Sequence, residues 1–564
     1  MLAQMTNRRA RPQASLNESR GRVARLLLLF SPILVALVAM LPRLLSAQFG
    51  LLDDGVTLLY GQAFPTQWVA LLNTAPESGR FCPAFVLFVA VVHTIVGTRP
   101  LLFFAVNVVV FAAITAALIG LMRLQGGTRL QAWAAGMFFV LSGASVESFY
   151  TLSKAEPLQL MWIVIALLLV GRSARVPGRA RSVTLFATAT VALLLASATK
   201  ETTIVLVPIS LGWLVVAWRS RGVADGPASA IRARCLLMSV LAAGAFFALR
   251  SSLGGLPVAQ GGYTRLYRLE WDTLGRSLGD WMILLARDYT YMIPLVVVVV
   301  ALSLSRGQPQ RGLLLDSVVW MIGWMVVYLP WSWTVEYYLL PFTLGAAAFA
   351  GVAFGQLVQA LTDATERLPR RITAACLVAC AVLWPLNLAT SASNAAVQLA
   401  VDAGNHDLVR FAATLPRDTR LGVNIPGPSE YVLEIDIHLE AIERRPDIVV
   451  AHLEPATDAR EGGGSASYVA APRMLNALPL SVRIGVSEAG AAAWDLRLVQ
   501  ALGEKRDLVY GTRRHAQLLV FNLHRPVCRL LGRTNCVAQG VSFIDTRMFS
   551  YGWDVYRFSG RKAP

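Results

Sequence analysis

The stretch Leu51-Leu52-Asp53-Asp54-Gly55 sets two adjacent carboxylates just after the first long apolar run of the chain. Neighbouring carboxylates repel, so one pKa rises, which suits a group that takes up a proton during a reaction. The same pair also fits the start of a helix, because Asp is favoured at the N-cap and in the first turn. The choice between these readings depends on what else the chain brings to the same surface.

Three other short stretches carry charge next to apolar runs. They are Gly79-Arg80-Phe81-Cys82-Pro83, Ser153-Lys154-Ala155-Glu156-Pro157 and Thr199-Lys200-Glu201-Thr202. The last sits in a turn too short to leave the headgroup level. There Lys200 and Glu201 could simply pair, worth about 0–1 kcal/mol if exposed. The loop at 251–287 adds Tyr263, Arg265, Tyr267, Arg268, Trp271, Arg276 and Arg287. It reads either as an interfacial helix with snorkelling Arg and aromatic anchors, or as a lid.

The elements that must position these residues are membrane spans. Of 564 residues 55% are hydrophobic, and the mean hydropathy is +0.54. The net charge of +17 is uneven: residues before 392 carry 31 Lys+Arg against 16 Asp+Glu, and the rest carry 20 against 18. A cation excess confined to membrane loops orients a chain by the positive-inside rule and points away from nucleic acid. Run lengths predict eleven spans, at 26–46, 100–122, 130–149, 157–171, 183–199, 202–218, 234–250, 288–305, 312–330, 339–358 and 372–391. The apolar run 84–96 is too short to cross comfortably and is read as an interfacial helix. That reading keeps the Arg-rich loops 172–181, 219–234 and 367–371 inside. It places 11 of the 16 acids before residue 392 on the outer side, where membrane-edge charge usually marks function.

The predicted organisation is a cytoplasmic N-terminal tail (1–25), a transmembrane domain (26–391) with an outer first loop (47–99), and an extracytoplasmic α/β domain (392–564). A cleaved signal peptide ending near Leu44-Leu45-Ser46-Ala47 is the rival for the first span; the many later spans favour a retained anchor. In the C-terminal region Leu421–Ile425, Tyr431–Ile437, Asp447–Ala451 and Leu518–Asn522 read as strands, while 424–428 and 461–464 read as loops. Cys528 and Cys536 could form a disulfide in an outer domain. Cys235, Cys376 and Cys380 lie in or beside spans as apolar filler.

In order and spacing, Asp53-Asp54, Arg80-Phe81-x-Pro83, Glu156-Pro157 and Lys200-Glu201-Thr202 resemble the membrane glycosyltransferases of the GT-C fold, which use polyprenyl-phosphate sugars. Protein O-mannosyltransferases and aminoarabinose or arabinofuranose transferases are among them. Glu336-Tyr337-Tyr338-Leu339-Leu340-Pro341 resembles a later Arg-Tyr-x-Leu-Pro element, with Glu336 or Tyr337 where Arg is usual. The resemblance covers about residues 50–390 and implies a GT-C-like polytopic α-helical membrane protein with a C-terminal α/β domain. It implies an inverting transfer of a sugar from a polyprenyl-phosphate donor to a hydroxyl on a glycan, lipid or protein. Asp53 would be the base and Asp54 its runner-up or orienting partner. Arg80, Lys200 and one of Arg265 or Arg268 would meet the phosphate, with Glu156, Glu201 and Tyr337 also at the substrate.

No metal ligand set is assigned. Sparse His argues against a His-built site, although carboxylates could coordinate a divalent cation. A transporter or flippase of lipid-linked sugar, expected to carry inverted repeats and mid-membrane polar residues, is the main alternative. A non-catalytic envelope assembly protein is another.

Overall fold

The computed structural model describes residues 11–50, 54–72, 81–219, 226–253, 267–305, 310–331, 336–363, 367–423, 430–452, 466–472, 494–502 and 552–561. The chain is a polytopic helical membrane protein followed by a strand-bearing C-terminal region. Nine described helices are long and apolar enough to cross a bilayer, and two bent pairs raise the count to eleven. One bent pair is α5 (Arg129–Val140) with α6 (Gly143–Tyr150), turned by 54°. Ser142 supplies the break: it caps α6 by accepting from the Ser145 N–H at 3.2 Å. The other is α11 (Trp271–Asp288) with α12 (Met292–Ser305), turned by 89°. The span expected at 288–305 is thus a 14-residue helix, about 21 Å long, whose entry is an amphipathic helix lying across it.

The first helix, α1 (Arg11–Leu45), ends at the first loop, where α2 (Asp54–Leu72) and α3 (Pro83–Val96) follow. α3 is an apolar helix of 14 residues, shorter than a straight span needs. Pro occupies the first turn of α3, of α4 (Pro100–Leu124) and of α7 (Glu156–Ser173), where its missing N–H costs nothing. Then come α8 (Arg179–Thr199), a 3-10 turn (Glu201–Val205), α9 (Leu206–Arg219), α10 (Gly226–Leu253), α13 (Arg311–Tyr328) and α14 (Leu340–Asp363).

The bundle is built around α14, whose window Tyr337–Thr362 is 89% buried. It meets α5 through small residues: a Cβ on Gly351 would lie 2.5 Å from the Gln131 carbonyl, and one on Gly355 2.3 Å from Gln131 Cγ. Close backbone approach through Gly and Ala is how membrane helices gain dispersion contact without a hydrophobic driving force. The ends the sequence placed inside gather at one end of the bundle. There Gln131 bonds Gln310, Arg232 pairs with Asp316, and Arg234 donates to Ser173 and Ser182.

The 47-residue helix α15 (Arg367–Ala413) carries the chain from the last span into the C-terminal region. There a five-stranded sheet has the order β2-β1-β3-β5-β4. Its strands are β1 (Arg420–Val423), β2 (Val449–His452), β3 (Ala466–Pro472), β4 (Trp494–Leu502) and β5 (Trp553–Arg561). β1 runs parallel to β2 and β3; β5 is antiparallel to β3 and β4. The expected strand Tyr431–Ile437 is instead a helix, α16 (Glu430–Ala441). Leu518–Asn522, Cys528, Cys536 and both expected loops lie outside the described residues.

Candidate functional site

Asp54 opens α2 and is 1% exposed. Its Oδ2 accepts the Gly50 N–H at 2.8 Å, and its Oδ1 accepts the N–H groups of Leu152 and Ser153 at 3.1 and 3.2 Å. The carboxylate therefore ties the first loop to the stretch between α6 and α7. Burial pushes its pKa up to about 7. The Gly50 N–H opposes that rise, the Asp402 carboxylate adds to it, and Arg43 and the Leu152 N–H oppose it again. Asp53 lies outside the described residues.

The stretch that Asp54 holds continues into Lys154 and Glu156. Lys154 Nζ sits 4.5 Å from the centre of the Tyr337 ring. Glu156, 1% exposed at the start of α7, forms an ion pair with Lys200. The pairing of Lys200 with Glu201 suggested by adjacency gives way to this one, because Lys200 is extended backbone (φ −156°, ψ 124°) between α8 and the 3-10 turn. Its ammonium also lies 4.4 Å over the Tyr338 ring and 5.8 Å over Tyr328, a desolvated cation–π arrangement. Gln159, one turn below Glu156 on α7, pins the Lys200 turn by donating to Thr203 Oγ1 at 2.8 Å, Thr202 Oγ1 at 3.0 Å and the Lys200 carbonyl at 3.3 Å. Glu201 is half-buried at the head of the 3-10 turn.

The 251–287 loop reaches this surface through its described part. Tyr267 makes an antiparallel bridge to Trp331, and the Arg268 N–H donates to the Pro330 carbonyl at 2.8 Å. Trp331 packs edge-on to Tyr338 at 6.3 Å. The Arg268 side chain is exposed. Along α11 one side buries Thr273, Ser277, Trp281 and Leu284, while Trp271, Leu278 and Met282 face outward, as in an interfacial helix. Arg80 and Arg265 lie outside the described residues.

Sequence reasoning missed the support beneath Asp54. Arg43, in the last turn of α1, is fully buried; it pairs with Asp402 of α15 at 2.7 Å, donates to the Gln48 carbonyl and stacks on Phe104 at 4.1 Å. The Asp402 carboxyl is raised by burial, against the pull of Arg43. Glu434 of α16 accepts the Gly55 and Val56 N–H groups at 2.7 and 3.2 Å, capping α2 from the C-terminal region. His438, one turn on, sits 3.9 Å from Glu434 and is pushed down to about 3 by burial, with His406 adding. The one available signal was Arg43 itself, a cation at a membrane edge.

Among the described residues no three His, Cys, Asp or Glu side chains gather as a metal site. No protein-family model matches the chain, and no curated protein matches it. Among solved structures it is similar to the archaeal oligosaccharyltransferase AglB from Archaeoglobus fulgidus in complex with an inhibitory peptide and a dolichol-phosphate. The identity is 10% and the TM-score 0.48, over 96% of this chain and 89% of that one. It is also similar to ArnT from Cupriavidus metallidurans bound to undecaprenyl phosphate. There the identity is 14% and the TM-score 0.48, over 83% of this chain and 95% of that one.

Proposed function

We propose that this chain is a glycosyltransferase of the plasma membrane that moves a sugar from a polyprenyl phosphate to an acceptor hydroxyl on the extracytoplasmic face. The N-terminus is then cytoplasmic and the C-terminal α/β region extracytoplasmic. The observation that carries the reading is one continuous chain of contacts: Asp54 holds Leu152 and Ser153, Lys154 covers Tyr337, and Glu156 holds Lys200 over Tyr338. Acid and cation thus share one membrane-edge surface.

In this reading Asp54 is the anchor and Asp53, one residue earlier, is the base. Asp53 takes the proton of the acceptor hydroxyl as that oxygen bonds to the anomeric carbon. The bond from that carbon to the phosphate oxygen breaks on the opposite face, and the configuration inverts. The electron pair leaves on the lipid phosphate, which a cation at low dielectric stabilises more than one in water. Lys200, fixed by Glu156, and Arg80 supply that charge, with Arg265 or Arg268 from the amphipathic loop. Transfer of isotope-labelled sugar from a polyprenyl-phosphate donor by purified protein, lost in Asp53→Asn, tests the reading. Donor translocation without transfer would replace it with a flippase.

A further inference from the structure

At the end of the bundle away from Asp54 lies a cavity of about 360 Å³. Arg175 follows α7, Arg232 stands in the second turn of α10, and Gln310 precedes α13; all three line it. The candidate site uses the opposite ends of α7 and α13, at Glu156 and Tyr328. Leu121, Leu167, Leu344 and Trp320 form the apolar wall.

The polar lining is unusual. Arg232 and Asp316 pair at 2.9 Å with side chains only 13% and 16% exposed, and Asp316 Oδ1 is buried with no hydrogen-bond partner among the described residues. A buried acceptor at membrane depth without a donor costs free energy, so it marks a place for one. Arg175 stands exposed at the rim. Among the described lining residues, two guanidiniums and one carboxylate leave one positive charge in excess.

We propose that this cavity binds an anionic glycerophospholipid with a hydroxylated headgroup. Its phosphodiester lies between Arg175 and Arg232, a headgroup hydroxyl donates to Asp316 Oδ1, and part of one acyl chain runs along the leucine wall. Basic pockets between membrane helices take anionic headgroups in this way, and Arg suits phosphate geometry. The volume sits at the small end of the range for ligand pockets, so the rest of the lipid stays in the bilayer. A zwitterionic lipid leaves the excess charge unmatched, and a choline headgroup has no donor for Asp316.

The test is native mass spectrometry of the full chain taken from vesicles holding equal phosphatidylglycerol, phosphatidylethanolamine and phosphatidylcholine. Phosphatidylglycerol should be retained preferentially. Arg175→Ala, a surface truncation that leaves the fold intact, should lower that retention about fivefold, the weight of one cation at a membrane surface. Leu121→Trp, which fills the cavity, should lower it as well. Equal retention of the three lipids, or unchanged phosphatidylglycerol retention in Arg175→Ala, overturns the proposal. So does displacement of the lipid by soluble glycerol 3-phosphate.

Discussion

The Glu434 carboxylate accepts the Gly55 N–H at 2.7 Å across 379 positions of sequence. The contact leaves no room for a side chain at Gly55, where a Cβ would lie 2.5 Å from Glu434 Oε2. A helix N-terminus carries unpaired N–H groups and a partial positive charge, and here a carboxylate from the C-terminal region meets both. Glu434→Ala should expose the Gly55 and Val56 amides to faster hydrogen exchange and reduce kcat more than KM, because the loop bearing Asp53 loses its cap. Glu434→Gln, which keeps one acceptor oxygen, should fall between. Normal exchange and normal kcat in Glu434→Ala would mean the contact does not position the loop.

The two aspartates should behave differently. Asp53→Asn is expected to lower turnover about 10²–10⁴-fold with an unchanged melting temperature, the cost of removing a general base. Asp54→Asn points an amide at one of its backbone donors, so it should cost about 1–3 kcal/mol of stability. Kinetics and thermal unfolding of both purified variants separate base from anchor.

Removing Lys200 leaves Glu156 buried and unpaired. Breaking a buried pair from one side typically costs about 3–5 kcal/mol; with Lys200 20% exposed the loss should sit at or below that range. The double variant Lys200→Met, Glu156→Gln should recover most of it, while Glu201→Ala changes stability little. A double-mutant cycle on thermal unfolding reads the coupling, and donor affinity in Lys200→Met reads the role at the phosphate.

Acid should loosen the seat of α16 on α2. The His438 pKa falls from 6.5 to about 3 on folding. The unfolded form therefore binds more protons between those values, and stability is lost as pH falls below about 6.5. The slope reaches at most about 1.4 kcal/mol per pH unit. Asp54, raised to about 7, contributes with the opposite sign, since its folded form holds a proton that the unfolded form releases. The difference between wild type and His438→Gln across pH 4 to 7, followed by thermal unfolding, isolates the histidine.

Single-cysteine labelling checks orientation. Gln62 and Val449 are exposed on the side of the candidate site and Arg175 on the other. Gln62→Cys and Val449→Cys should react with an impermeant reagent from outside intact cells, and Arg175→Cys only after lysis. Labelling of Gln62→Cys only from within reverses the proposed topology.

Much of this arrangement was legible because it obeys local rules. Span lengths marked the apolar helices, and charged residues beside apolar runs marked the stretches that hold Asp54, Lys154, Glu156 and Lys200. Partnerships across the chain were not. Nothing near Lys200 says that its carboxylate is Glu156, 44 positions away, rather than its neighbour Glu201. Residues 433–440 alternate apolar and polar as a strand would, yet they form a helix because α16 is buried on several sides, between α2 and the sheet. Arg43, Asp402 and Glu434 each look ordinary alone; only packing assembles them under the first loop.

The unbroken run of α15 has a mechanical meaning. At bilayer level Asn387 donates to the Arg287 carbonyl, and further out Trp553 of the sheet donates to Asn405 at 3.3 Å. The two asparagines are 18 positions apart (405 − 387), about five whole turns, so they share one side of the rod. Between them Asp402 meets Arg43. A flexible tether would absorb an extra residue anywhere. Here one added residue swings everything beyond it by about 100°, taking Asp402 and the sheet out of phase with the membrane helices. The C-terminal region is keyed to the bundle like a gear on a shaft, and its angular setting is fixed along with its height.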